Sequence, residues 1–530
     1  MGEYLSPGVF IEEISSGNKP IEGVGTSTGA FVGRAVKGPV NEARLITNPS
    51  QFFETFGGFH QAYHLAYAVR HFFTEGGTRC YVVRVFSPHE VQPAEAPADV
   101  ARVVLNAAGT PTLRVLAANE GIWGNDLAVA IGAPAFDPND PANADGKFSL
   151  TVYDLGDVVE SYTQLSMREF TTPANLPNPF HVEAQINARS KFITVEDLTD
   201  DPSIVAPPDP TANPVPLAQG NDGQDLTAAD LIGDVTQSSG IYAFDVVDDI
   251  NIVAIPDLVH SNINREQARD RVVEAFTYCE NRQDCFFVAD APLGLTPQEV
   301  LAYKRAASPF SGNPFNSAYG ALYYPWLLVA DPLTGGRKLF PPSGAVVGTY
   351  ASTDVKRGVH KAPAGITDGF LNAAVDIERI ITKGEHDTLN PEGINVIRKF
   401  PDAGIVVWGA RTVSADPEWR YVNVRRLFLF LEESIEEGTQ WVVFEPNDRT
   451  LWQRIRRNVS AFLRIQWLEG KLVGNKPEEA FFVKCDEETN PPESVDLGRV
   501  VTLIGVAPSK PAEFVIFRIS QSRGGSSVDE

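Results

Sequence analysis

Two histidines four residues apart, His60 and His64, with His71 one heptad further on, are the first residues whose spacing suggests chemistry. On a helix an i, i+4 pair projects both imidazoles from one face, where they ligate zinc. A zinc-protease helix also needs Glu directly after the first His as general base, and Gln61 stands there. The pair therefore reads as a polar or interfacial face of an expected helix over 60–74. Gly76-Gly77 and Thr334-Gly335-Gly336-Arg337-Lys338 lack the GxxxxGK[ST] spacing that wraps a phosphate. Ser343 lies in Pro342-Ser343-Gly344-Ala345, without the glycines of a nucleophile elbow. Glu12-Glu13 and Glu432-Glu433 are sequence neighbours, which suits solvated or interfacial charge better than an acid/base pair. Asp290 and Asp331 follow expected strands, where α/β enzymes place catalytic groups, but turn and cap roles account for them. Asn139-Asp140 and Asn221-Asp222-Gly223 are only fragments of a calcium loop. No catalytic residue, metal site or cofactor is expected.

One helix carries more information than these groups. Between Arg449 and Arg464, the apolar residues Leu451, Ile455, Val459 and Phe462 follow a single helical stripe. Arg449, Arg454, Arg456, Arg457 and Arg464 occupy the remaining faces. A solvated face with local ion pairs is one reading, and a docking surface for an acidic protein is the other.

The chain that must position these residues has 530 of them, enough for about three or four domains. A net charge of -24 argues against nucleic acid or an anionic membrane surface as a direct partner. Residues 90–240 hold 22 acidic against six basic residues, a net of -16, so this stretch reads as a solvated outer module. Cys80, Cys279, Cys285 and Cys485 are too few and too scattered for a disulfide framework, and reduced thiols are expected. The first residues, Met1 to Pro7, are acidic and broken by proline, so no signal peptide is expected. No run of 18 apolar residues occurs, so no membrane-spanning helix is expected either.

Periodicity predicts strands over 29–35, 80–85, 148–153, 250–256, 285–290, 323–329 and 404–409, and helices over 263–280, 424–437 and 448–470. Asn48 and Thr296-Pro297 signal helix starts. Residues 199–223, with six prolines, predict an exposed loop. The strand-like segments near both ends, around Val9, Phe10, Ile11 and Glu12 and over 513–520, are attached by loops, which suits strand addition to another chain.

At this point the motifs resemble a family. The runs Ser6-Pro7-Gly8-Val9-Phe10-Ile11-Glu12-Glu13, Pro341-Pro342-Ser343-Gly344-Ala345 and Arg357-Gly358-Val359-His360-Lys361-Ala362-Pro363-Ala364-Gly365 come first. Asn390-Pro391-Glu392-Gly393-Ile394-Asn395, Gly409-Ala410-Arg411-Thr412, Tyr421-Val422-Asn423-Val424-Arg425-Arg426-Leu427 and Phe444-Glu445-Pro446-Asn447-Asp448 follow. In this order they resemble the tail sheath proteins of contractile phages, R-type bacteriocins and extracellular contractile injection systems. The resemblance covers residues 1–90 and 240–530. It implies a structural subunit, not an enzyme, assembled in a bacterial cytoplasm into a phage tail or tail-like particle released on lysis. Implied partners are further copies in stacked hexameric rings (a six-start helix), an inner tube, and baseplate and terminal cap proteins. On a trigger such a sheath shortens and widens and drives the tube through a target envelope.

The expected fold is mixed α/β and multidomain. Residues 1–25 would form a linking arm, 26–90 with 241–360 a middle α/β domain, and 91–240 an inserted strand-rich outer domain. Residues 361–510 would form the inner domain, and 511–530 a second arm and tail. Val9, Phe10, Ile11, Glu12, Phe514, Val515, Ile516 and Phe517 are the expected inter-subunit strands, and the five arginines of the basic helix the expected tube contact. A shell or tube protein that assembles without contracting is the alternative. An α/β-hydrolase-like enzyme would need a convergent titratable cluster that the sequence does not offer.

Overall fold

A computed structural model describes residues 20–88, 99–132, 147–170, 176–199 and 206–516. They group into two units: residues 25–352 with 363–415, and residues 20–24 with 353–362 and 416–516.

The larger unit begins with strands β1 (Gly29–Gly33), β2 (Arg44–Ile46) and β3 (Cys80–Arg84). Next come β4 (Arg102–Ala107), β5 (Thr110–Ala117), β6 (Leu127–Gly132), β7 (Phe148–Asp154), β8 (Asp157–Leu165), β9 (Ile193–Asp197) and β10 (Val215–Pro216). It ends with β11 (Ile252–Ala254), β12 (Phe286–Asp290), β13 (Gly320–Tyr324), β14 (Leu327–Ala330), β15 (Arg337–Phe340), β16 (Ala374–Ile377), β17 (Ile394–Phe400) and β18 (Gly404–Val407). Eight of these form one sheet in the order β18-β17-β13-β12-β11-β1-β3-β2. Neighbours from β17 to β3 run parallel, and β18 and β2 add antiparallel edges. Every position of β1, β11, β12 and β13 is buried, as parallel strands covered on both faces require.

Local sequence fixes the helices of this unit. Asn48 accepts from the Gln51 N–H, with Pro49 in the first turn, and Asn264 accepts from the N–H groups of Glu266 and Gln267. Thr296 and Glu299 close a capping box. Gly344 and Gly348 lie one turn apart in the helix Ser343–Arg357. A Cβ at Gly344 would stand 2.4 Å from the Ala68 Cα, and one at Gly348 would stand 2.5 Å from the Phe72 carbonyl oxygen. The Pro-Pro-Ser-Gly-Ala run thus lets this helix lie directly on the backbone of the helix Leu65–Thr74.

Strands β4, β5 and β9 form one small sheet, and β10, β6, β7 and β8 another. Alternate residues of β6 and β7 point inward, and Leu113, Val115, Trp123, Val129, Leu150 and Val195 fill a core of their own. These two small sheets share a core that ends before residue 228. Ala228, Leu231, Ile232, Ile241 and Phe244 pack into the core of the large sheet instead.

Other expectations shift for identifiable reasons. The stretch 323–329 is two strands in different sheets, because Pro325 has no N–H to continue the ladder. Residues 60–64 precede the helix rather than belong to it, so His60 and His64 do not share a helical face. The expected loop 199–223 contains β10, and Leu217 beside it is buried. The expected boundary at 361 moves to 416, because β17 pairs with β13 and brings β18 with it.

The smaller unit holds the helices Val422–Thr439 and Arg449–Leu468, with β19 (Phe481–Lys484) and β20 (Leu503–Val506) as a two-stranded antiparallel sheet. Leu427, Phe430, Leu451, Ile455, Val459 and Phe462 form its core with Ile21 and Val359. Arg426 reaches Asp354 through two bonds of 3.1 and 2.6 Å, with both side chains buried. Asn423 donates to the His360 carbonyl at 2.7 Å. Arg425 bonds Glu432 at 2.7 Å and lies over the Trp419 ring at 4.4 Å. Through Asn423 and Arg426 the Tyr421 to Leu427 motif pins 353–362 to the first long helix.

Candidate assembly surfaces

In a doubly wound sheet the usual ligand crevice lies beyond the carboxyl ends of the strands where their order reverses, here β1 and β11. Asp257 fills that position. Its buried carboxylate accepts the backbone N–H groups of Arg34 and His64, each at 2.8 Å, and so stitches the crevice shut. A cavity of about 340 Å³ beside it is walled by groups that include His64, His260, Trp326 and Lys338. Burial holds the His64 imidazole down at about 4, with Nδ1 3.3 Å from the Pro256 carbonyl. The Lys338 ammonium donates to the Gln61 carbonyl. His71 is buried and its pKa is lowered to about 3. Among the described residues no three His, Cys, Asp or Glu side chains are grouped to hold a metal ion. All four cysteines are free and buried.

Asp331 does turn work, accepting from the Leu333 N–H at 3.0 Å, the Thr334 hydroxyl at 2.8 Å and the Tyr67 hydroxyl at 2.7 Å. Asp290 accepts the Ser343 N–H at 2.8 Å where that helix begins. Burial pushes its carboxyl up to about 7, against roughly 3.9 in an unfolded chain. The folded state therefore holds this proton more tightly. Its stabilising contribution is complete below about pH 4 and is lost as the pH rises through about 7. We expect Asp290→Asn to remove that loss, so the variant's thermal midpoint gains on the natural chain between about pH 4 and pH 7. A pH-independent difference between the two would contradict the assignment.

The smaller unit carries the arginine helix. Leu451, Ile455, Val459 and Phe462 form the buried stripe of the helix Arg449–Leu468, as their spacing predicts. Asp448 caps the helix by accepting from the Leu451 N–H at 2.8 Å. The five arginines divide. Arg454 is half-buried, bonded to Glu445 at 3.3 Å and laid over the Trp441 ring at 4.4 Å, and Arg449 pairs with Glu487. Arg456, Arg457 and Arg464 are exposed on the outer face, beside exposed Ile465 and Leu468.

β19 and β20 pair only with each other among the described residues, so each keeps one unpaired edge. Phe481, Val483, Ile504 and Val506 turn toward the core, while Phe482 and Leu503 are half exposed. Phe514, Val515 and Ile516 lie in an irregular segment, each at least 70% exposed. Tyr421 donates to Glu513 at 3.1 Å just before it. At the other end, Ile21 packs into the same core, and the Val24 N–H bonds the Ser434 hydroxyl at 3.1 Å. Val9, Phe10, Ile11, Glu12 and Phe517 lie outside the described residues.

Sequence reasoning passed over Phe444, a fully exposed aromatic at a left-handed backbone position. Its place in the Phe-Glu-Pro-Asn-Asp run was the available signal.

Known proteins resemble this chain in sequence and in fold. The family model for the phage tail sheath protein central domain matches residues 224–413, and that for the phage tail sheath C-terminal domain matches residues 414–522. The tail sheath protein of Vibrio phage KVP40 is 25% identical over 250 residues, 44% of this chain and 36% of that protein. That of Burkholderia phage BcepMu is 28% identical over 226 residues, 40% of this chain and 44% of that protein. The matched segments thus span less than half the length of these relatives. The fold is similar to the sheath of the extracellular contractile injection system PVC in its contracted state, with a TM-score of 0.57, 22% identity, and coverage of 98% of this chain and 99% of that one. It is also similar to a sheath tail protein of Listeria innocua, with a TM-score of 0.60, 14% identity, and coverage of 92% and 96%. The two adjoining family matches account for more than half of the sequence, and the chain belongs to the phage tail sheath family.

Proposed function

We propose that this chain is a contractile sheath subunit, which polymerises as stacked hexameric rings around an inner tube and contracts to drive that tube through a target envelope. The observation that carries this reading is the open-edged two-stranded sheet β19–β20, set in one unit with both anchored chain ends. The arm around Val9, Phe10, Ile11 and Glu12, and the apolar segment at Phe514, Val515, Ile516 and Phe517, supply strands for such edges on neighbouring copies. A head-to-tail contact of this kind propagates into a helical lattice. Strands that stay paired would let subunits swing outward without separating.

The exposed arginine face is the contact for an acidic inner tube, and the acidic outer module keeps the particle soluble. Baseplate and terminal cap proteins bind the ends of the lattice. Assembly takes place in the bacterial cytoplasm, and the finished particle leaves on lysis. Exposed charge contacts contribute only ~0–1 kcal/mol each, so they are easily given up on contraction. Reversing charge at Arg456 and Arg457 is expected to weaken the extended sheath on its tube by on the order of 1 kcal/mol per subunit. The contracted sheath should be nearly unaffected. Salt titration of both states, followed by electron microscopy, checks this, and equal weakening of the two would reject tube docking through this face.

A further inference from the structure

In the Phe444-Glu445-Pro446-Asn447-Asp448 run, the polar side chains serve the fold and the aromatic one does not. Asp448 caps the arginine helix. Asn447 accepts from the Trp452 indole at 2.8 Å and donates to the Arg499 carbonyl at 3.0 Å, and Glu445 bonds Arg454. The Phe444 side chain, by contrast, is as exposed as in an extended chain, at 102%. Its φ of +68° is a left-handed conformation that a residue with a Cβ adopts at a cost. Nor is this a loose loop. The Val443 N–H bonds the Gln440 carbonyl at 3.2 Å, the Glu445 N–H the Val442 carbonyl at 3.1 Å, and the Asp448 N–H the Pro446 carbonyl at 3.0 Å. Folding thus holds a strained backbone to present an aromatic ring to solvent, and Val443 beside it is 64% exposed. Rigid exposed aromatics of this kind dominate binding once they enter a partner's pocket. The helix that follows carries the exposed Arg449, Arg456 and Arg457.

We propose that Phe444 is an anchor that enters an apolar socket rimmed by carboxylates on an acidic protein partner, the same partner that takes the arginine face. The proposal rests on the docking of that face to the inner tube. The arginines would pair with the rim while the ring fills the socket, so charge sets the approach and Phe444 the grip.

Co-sedimentation of the full chain with preformed tubes of the inner tube protein tests it. Phe444→Gly suits the left-handed backbone and removes the ring. Its thermal midpoint should equal or exceed that of the natural chain, while tube affinity falls about tenfold or more. Phe444→Tyr, which keeps the ring, should bind within about threefold of the natural chain. Natural affinity in Phe444→Gly, with weakened binding in Arg456→Glu/Arg457→Glu, would overturn the anchor and leave the helix reading intact. Natural affinity in both, or no tube binding by the natural chain, would overturn the docking reading as well. Unchanged tube binding with impaired self-assembly of Phe444→Gly would place the socket on a second copy and overturn the proposal as stated.

Discussion

Deleting residues 1–20 is expected to abolish long tubes and leave folded, soluble subunits. The cut falls just before Ile21, which packs against the helix Val422–Thr439 and belongs to the core of the smaller unit. The Val24 bond to Ser434 also survives. The deletion therefore removes the proposed linking segment without opening the core of the smaller unit. A main-chain hydrogen bond contributes only about 0.5–1.5 kcal/mol, but a segment that links subunits as proposed would repeat at every lattice contact, so its loss would be felt by the whole polymer. Circular dichroism should show a near-natural melt and sedimentation should show small particles. Tubes as long as those of the full chain would remove the arm from the account.

The second large effect is in the Arg426–Asp354 pair. Both side chains are at most 3% exposed, and the guanidinium meets the carboxylate through two bonds. Arg426→Ala takes the cation from a buried carboxylate, which costs about 3–5 kcal/mol. Replacing both partners, as Arg426→Met with Asp354→Leu, should recover most of that loss, because apolar residues of similar volume often substitute for a buried pair at little cost. Denaturant unfolding of the two variants checks the prediction. Equal destabilisation by both would mean that packing, not charge, is what this pair supplies.

Much of the fold was legible in the sequence. The parallel strands read as apolar runs because both of their faces are covered, and the arginine helix because one stripe is buried and the rest is charged. Caps at Asn48 and Thr296 announced themselves through side chains that bond the first turn. What was hidden depends on distant pairing. Nothing local says that β17 joins β13, and that pairing moves 363–415 into the larger unit. Nothing local says that Ala228 and Leu231 belong to the large core, since a short capped helix after a proline-rich stretch looks the same in either module.

The candidate surfaces were legible in part. Helical spacing put Arg456, Arg457 and Arg464 on the outside, but the partners that occupy Arg449 and Arg454, Glu487 and Glu445, depend on how two loops return to the helix. Several motif runs proved to be packing devices. Asn395 donates to the Arg411 carbonyl and accepts the Arg411 N–H, both at 2.7 Å, which joins two of them. Gly393 sits at φ +74° against the Thr412 carbonyl, where a Cβ would stand 2.3 Å away. These motifs mark the fold's close approaches, and Phe444 stands out because it makes none.

The most direct measurement is negative-stain electron microscopy of the purified chain, alone and co-expressed with the proposed inner tube protein. A contractile sheath predicts wide, hollow, striated tubes from the chain alone, and longer, narrower ones around an inner tube. One lattice under both conditions would point to a non-contracting shell or tube. Single particles throughout would contradict the sheath assignment altogether.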